Sequence, residues 1–293
     1  MTVHKPVLLR EVLEIFNPEP GQIYIDATIN GGGHGKEILD GVGESGKVLG
    51  IDWDCQLLEE LNNTNLKNLE LVCGNYANLK NIAESAGFKK VDGILFDLGF
   101  SSYHPARSGR GFSFQKNEPL DMRYNLPSNE LTAEKIINTW SGEAIENMLR
   151  AYGEEQFAGR IARGILQERK NKKITTTGKL AKVVAQNVPG WYLRKRIHPA
   201  TKTFQALRIA VNKELENLEK ALPQAIELLK PAGKLIVISF HSLEDRIVKN
   251  FFKQKDREKL LKVLTNKPLV SSWPEIKVNP RARSAKLRAA QKL

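Results

Sequence analysis

Two hydrophobic periods alternate over the first hundred residues, and this alternation restricts the fold more than any other feature. Short apolar runs of strand length occupy Gln22–Thr28, the end of Glu44–Asp54, Leu69–Tyr76 and Val91–Gly99. Helical spacing fills the intervals, from Gly35 onward, at Cys55–Asn62 and at Leu79–Ala86. Buried strands separated by helices predict βαβ units and a parallel sheet covered on both faces. The handedness of such crossovers makes the sheet doubly wound. The pattern lapses after Gly99. It resumes with a long helical stretch, Thr203–Leu229, a turn at "KPAG", and a fifth strand, Lys234–Phe240. Well over a hundred residues separate strands four and five, where a crossover needs only about a dozen. A structureless loop of that length is not expected. "SNELTAEKIINTWSGEAIENMLRAYGEE" and "QFAGRIARGILQERK" carry helical periodicity, and "TTTGKLAKVVAQNV" opens on capping residues. The expected fold class is α/β, a doubly wound, mostly parallel sheet with an inserted, mostly helical domain. Residues 1–105 and 201–293 would form the sheet domain and 106–200 the insert.

Charge narrows the partner class. The net charge is +12 over 293 residues, and it is uneven. Gln156–Lys213 holds fourteen Lys or Arg against one acid, Glu168; Arg246–Leu293 holds fourteen against three. Two long segments of one sign favour a polyanion such as nucleic acid. No apolar run reaches the length of a membrane span, and the N-terminus lacks the apolar core of a signal peptide. Cys55 and Cys73 form no CxxC and have no histidine at ligand spacing, so reduced thiols, a cytoplasmic location and no metal are expected.

The stretch "IYIDATINGGGHGKEILD" places Gly31–Gly33 between strand one and the helix that follows, the ligand-binding end of a doubly wound sheet. Asp52 ends strand two about 20 residues later, where a carboxylate accepts from ribose hydroxyls. Glycine loop and acid together read as a nucleoside-type cofactor site. The loop reads N-G-G-G-H-G, which misses the dinucleotide fingerprint G-x-G-x-x-G and has no P-loop lysine. S-adenosylmethionine (SAM) satisfies the same geometry without a pyrophosphate. Tyr76, after strand three, is placed either to cover an adenine or to pack at the strand end. Asp97, at the end of strand four in "FDLGFSS", is either a reacting-end carboxylate or a buried cap. Asp97-Leu98-Gly99-Phe100 looks like a degenerate acid-Pro-Pro-aromatic signature of amino-group methyltransferases.

Eight motifs then occur in order from His4 to the C-terminus: "HKPVLLREVL", "DATINGGGHG", "FDLGFSS", "RGFSF" with "PLDMR", "YGEEQFAGRIA", "HPATKTFQALRIAVNKEL", "SFHSLEDRIVK" and "NPRARSAKLR". Together they resemble the bacterial MraW-type methyltransferases of 16S ribosomal RNA, which modify the N4 of a cytosine. The resemblance implies a SAM-dependent enzyme acting on 16S rRNA of the small subunit, as a monomer or homodimer. On the matching positions it implies cofactor contacts at Gly32, Gly33, His34, Asp52, Tyr76, Asp97 and His104, with Asp97 also catalytic. Phenylalanine is usual where Tyr76 stands, glutamine where His104 stands, and glycine where Asn30 stands; asparagine tolerates the left-handed region better than other residues.

Candidate RNA contacts follow from residue type. Arg110, Phe112 and Arg123 offer aromatic and cationic groups for a splayed base and its phosphates, or else pack a hinge. Arg194, Lys195, Arg196, His198 and Lys202 lie in a stretch without acid and suit phosphates. His241 lies in a strand-to-helix turn near the substrate face, with Ser242 expected to cap the helix. "NPRARSAKLRAA" is expected to form a terminal hairpin with RNA contacts. A nicotinamide dehydrogenase on the same fold and a non-catalytic RNA-binding module are the alternative classes.

Overall fold

Helix α1 (Leu9–Phe16) opens the computed structural model, which describes residues 5–62, 66–99, 108–127 and 129–293. The expected alternation follows: β1 (Ile23–Asp26), α2 (Gly33–Val42), β2 (Lys47–Asp52), α3 (Cys55–Asn62), β3 (Leu69–Cys73), a 3-10 turn Tyr76–Asn78, α4 (Leu79–Ser85) and β4 (Val91–Asp97). Next come helices α5 (Ala133–Thr139), α6 (Gly142–Gly153), α7 (Ala158–Asn171), α8 (Thr177–Gln186), the short α9 (Gly190–Leu193) and α10 (Ala200–Asn212). The chain closes with α11 (Glu214–Leu228), β5 (Leu229–Ser239), α12 (Ser242–Arg257), β6 (Leu261–Val263), α13 (Trp273–Val278) and β7 (Lys286–Lys292).

The sheet order is β3-β2-β1-β4-β5-β7-β6. Strands β1 to β5 run parallel, and β7 inserts antiparallel between β5 and β6. The order reverses between β1 and β4, which fixes the ligand crevice at the carboxyl ends of these strands. Period-two alternation supplies both faces. Ile25, Leu49, Ile51, Ile94, Phe96 and Val237 enter one core; Tyr24, Val48, Leu95, Ile236 and Ile238 enter the other. Each such side chain contributes roughly 1.5–3 kcal/mol by leaving water, so a one-residue slip in register would forfeit both cores.

The chain divides into two units, Met1–Ser101 with Leu215–Leu293, and Ser102–Glu214. The second unit has its own core, among it Ile136, Ile161, Leu180, Phe204, Leu207 and Val211. Helices α5, α6 and α8 begin where hydroxyls cap them: Thr132, Ser141 and Thr176 accept from the amides of Lys135, Ala144 and Lys179.

Four sequence expectations are corrected. The stretch Thr203–Leu229 is two helices, broken at Lys213, which is left-handed at φ 52°; the first, α10, buries Phe204 and Leu207 in the helical core. The helical unit therefore extends past Ala200. "KPAG" is an irregularity inside β5, not a turn before it: pairing with β4 jumps from Val91–Leu229 to Gly93–Lys234, and Ala232 is left-handed. Helix α12 is capped by His241, not Ser242. The His241 Nδ1 accepts from the Glu244 amide, and the Glu244 carboxylate accepts in return from the His241 amide. The thiols expected to be free are joined, Cys55 to Cys73, because α3 begins beside the end of β3 and brings the two Cα atoms to 5.2 Å.

That bond closes a loop over a separation of 18 residues. Loops of this length contribute about 3 kcal/mol. Urea unfolding with and without a dithiol reductant is expected to show a lower midpoint for the reduced protein. Thiol reagent that titrates two cysteines in unreduced, denatured protein would contradict the linkage.

Candidate active site at the carboxyl ends of three strands

Strands β1, β2 and β4 each end on an aspartate: Asp26, Asp52 and Asp97. Between β1 and α2 the chain turns through Asn30 at φ 48° and Gly32 at φ 77°. The loop is tied to its neighbours while it turns. The Ala27 amide donates to Leu95 O and the Ile29 amide to Ile51 O. The glycines are needed for space as well as for φ. A Cβ on Gly32 would lie 2.7 Å from Leu61 Cδ1, and one on Gly33 2.9 Å from Pro6 Cδ. Helix α2 then starts without a side-chain cap, so its first turn turns amides toward the strand ends.

Asp52 is half-buried and orders this loop. Its Oδ2 accepts from the Asn30 amide at 3.0 Å and its Oδ1 from the Asp54 amide at 2.9 Å. Burial nevertheless pushes its pKa up to about 7. Tyr76 follows β3 and sets its half-buried ring edge-on to Phe96 of β4, with centroids 5.7 Å apart. Both placements read from the sequence for this ring, strand-end packing and an open face, are compatible with that half-burial.

Asp97 is 5% exposed. Its amide donates to the Thr28 hydroxyl at 2.6 Å, and its Oδ2 lies 3.5 Å from His34 Nδ1. Among the described residues its buried Oδ1 has no hydrogen-bond partner. His34, also buried, has Nε2 at 2.9 Å from Val7 O. A carbonyl only accepts, so Nε2 carries hydrogen, and in the neutral ring Nδ1 faces Asp97 as an acceptor. One proton thus serves the Asp97–His34 pair. Burial first, then the charge of Asp26 and that of Glu244, raise the Asp97 pKa well above the carboxylate range; Arg281 opposes them. Asp26, 1% exposed, is itself raised to about 7 by burial, despite accepting from the Thr28 and Gly35 amides.

The three acids at the strand ends suit a cation and an amine, and not a pyrophosphate. Three carboxylates, two of them buried, would repel a diphosphate, whereas an ammonium or sulfonium would relieve their desolvation. The residues therefore fit SAM: the glycine loop gives close approach, Asp52 a hydroxyl acceptor, Asp26 and Asp97 negative charge.

The remaining candidates separate into two groups. Arg110, Phe112 and Arg123 are committed within the helical unit. Arg110 Nη1 donates to the carbonyls of Arg123 and Tyr124, and Phe112 stacks on Tyr124 with centroids 5.4 Å apart. Arg123 is bidentate to Asp121 and also donates to Leu126 O and Asn129 O. These residues build the unit that the motifs "RGFSF" and "PLDMR" begin. Arg194, Lys195, Arg196 and His198 are exposed, and Lys202 is half-buried. His198 stacks on Phe114 at 4.5 Å, and Lys202 Nζ donates to Glu154 O. His241 is the helix cap described above. His104 lies outside the described residues.

A model of the MraW methylase family matches residues 1–293. The chain belongs to that family. It is 43% identical over 310 residues to "Ribosomal RNA small subunit methyltransferase H" of Halothermothrix orenii, covering 100% of this chain and 99% of that protein. It is 48% identical over 314 residues to the protein of the same name from Thermomicrobium roseum, covering 100% and 94%. Membership in the MraW family removes the dehydrogenase alternative. No described helix is long and apolar enough to cross a membrane.

Sequence reading did not connect Asp26, Arg281 or Glu244 with Asp97. The signal for Asp26 was the strand-end position it shares with Asp52 and Asp97. Nothing local marks Arg281 or Glu244, which reach Asp97 only through the pairing of β7 with β5 and the start of α12.

The raised acids make stability depend on pH. An unfolded aspartate titrates near 3.8, and folded Asp26 and Asp52 near 7. Between those values the folded state binds more protons, so stability is greatest at the acid end and falls as pH rises toward 7. In ligand-free protein the unfolding midpoint is expected to fall from pH 5 to pH 8. Asp26→Asn should fall less, matching wild type at pH 5 and exceeding it at pH 8. Parallel curves for the two proteins would show that Asp26 is ionised throughout.

Proposed function

We propose that this member of the MraW family transfers a methyl group from SAM to the exocyclic N4 of a cytidine in 16S rRNA of the small subunit, in the cytoplasm. One observation carries the choice of acceptor: a buried carboxylate, Asp97, at the end of β4 with an unpartnered oxygen. A cytosine N4 amine offers hydrogens to such an acceptor, while its lone pair is delocalised into the ring. When bound, SAM supplies an electrophilic methyl. Gly32, Gly33 and His34 would line its approach, Asp52 would accept from its ribose, and Tyr76 would cover its adenine.

The chain's own residues then have three tasks. The base must leave its stack to reach the sheet end, which costs a few kcal/mol when paired and less in a loop. Asp97 Oδ1 accepts an N4 hydrogen and draws the nitrogen toward tetrahedral geometry, so its main contribution is positioning. His34, fixed by Val7 O, holds the other Asp97 oxygen and shares its proton. After transfer the N4 proton is acidic and needs no strong base. A covalent route through ring carbon five would need a thiolate, and both sulfurs are bonded to each other.

Two outcomes test the reading. Asp97→Ala removes the acceptor oxygen that faces the amine; single-turnover methyl transfer at saturating SAM and RNA is expected to slow about a hundredfold or more. A rate within about threefold of wild type would remove Asp97 from the reaction, since proton-handling groups contribute far more than that. Asp52→Ala loses charge-assisted hydrogen bonds of roughly 1.5–3 kcal/mol each, so calorimetry should show SAM affinity at least about tenfold weaker. Unchanged affinity would assign Asp52 to the loop alone.

A further inference from the structure

We infer that Trp191 is a stacking platform for an unpaired base of the RNA substrate, outside the sheet-end site. Trp191 lies in the short helix α9, and 51% of it is exposed. Its neighbours Leu193 and Ile197 are also exposed, at 46% and 65%. The indole is nonetheless held in place. It meets Phe157 at 66° and Tyr192 at 85°, each with centroids 5.7 Å apart. Tyr192 is buried, and its hydroxyl donates to the buried Glu155 at 2.8 Å. The exposed ring therefore stands on a fixed aromatic base, and little rotamer freedom remains to be lost on binding.

Charge selects the occupant. Lys195 Nζ lies 5.0 Å from the Trp191 centroid and 4.9 Å from that of Tyr192. Arg194 and Arg196 flank it and are exposed, and among the described residues no carboxylate pairs with either. No acid occurs in the sequence between Glu168 and Glu214. A half-exposed indole with a cation over its ring fits a base and its adjoining phosphate. Every base has a π-face, so the contact would be tolerant of sequence. A duplex hides those faces, so the partner is single-stranded RNA. This rests on the reading of the chain as an rRNA methyltransferase and adds to it a grip by the helical unit on unpaired nucleotides of the substrate.

The test compares wild type, Trp191→Ala, Trp191→Phe and Lys195→Met. Binding to a labelled small-subunit rRNA fragment is followed by fluorescence anisotropy across a salt series, with SAM affinity and single-turnover transfer alongside. Trp191→Ala is expected to bind RNA about tenfold more weakly, with SAM affinity, unfolding midpoint and salt slope unchanged. Trp191→Phe should recover most of the loss. Lys195→Met should flatten the salt slope by about one phosphate contact. An active wild type with Trp191→Ala equal to it would overturn the platform and leave the methyltransferase reading intact. Trp191→Phe as weak as Trp191→Ala would overturn stacking. A wild type that neither binds nor methylates the fragment would overturn both.

Discussion

Three adjacent strands end in aspartates, two of which water barely reaches, and the rest of the sheet domain is arranged around that cost. Burying a carboxylate is unfavourable unless it is paired or protonated. Asp52 is offset by two backbone amides and in doing so shapes the glycine loop. Asp26 accepts from the first turn of α2. Asp97 has a histidine on one oxygen and, among the described residues, no hydrogen-bond partner on the other. The compensation is thus graded, and the least compensated acid is the one at the reacting end. Structural acids are rarely left in that condition; perturbed carboxylates in a cleft are a mark of function.

The helical unit spends its arginines in the opposite way. Arg110 and Arg123 satisfy carbonyls and an aspartate of their own loop. Arg208 is bidentate to Glu214, which also accepts from the Tyr124 hydroxyl. These cations hold irregular backbone together where no helix or strand does so. The cations around Trp191 have no such duty. A count of basic residues does not distinguish the two uses, whereas the hydrogen bonds do.

Much of the sheet was legible because its information is local. Strand-end aspartates, a glycine loop and alternating periods are readable within a few residues. What was not legible depends on approach between distant segments. The Cys55–Cys73 bond needs α3 to begin beside the end of β3. The break at Lys213 has no glycine or proline to announce it, because a lysine occupies the left-handed region there. His241 displaced Ser242 as a cap since an imidazole nitrogen can accept an amide as a hydroxyl does, a use that residue-type preferences do not flag. For Arg110 and Arg123 the sequence left RNA contact and hinge packing open, and it could not show the carbonyls and the aspartate that hold them.

The central claim is that uncompensated acids at the strand ends await a cationic methyl donor. SAM carries a fixed positive charge on sulfur, and its demethylated product, S-adenosylhomocysteine, does not. The decisive measurement is proton release on binding each ligand at pH 7, from calorimetric enthalpies in buffers of different ionisation heat. SAM is expected to expel protons from the aspartates, and to expel more than the product does. Binding of both ligands with no proton release would mean that the acids are already ionised and balanced, and the account of the site would fail.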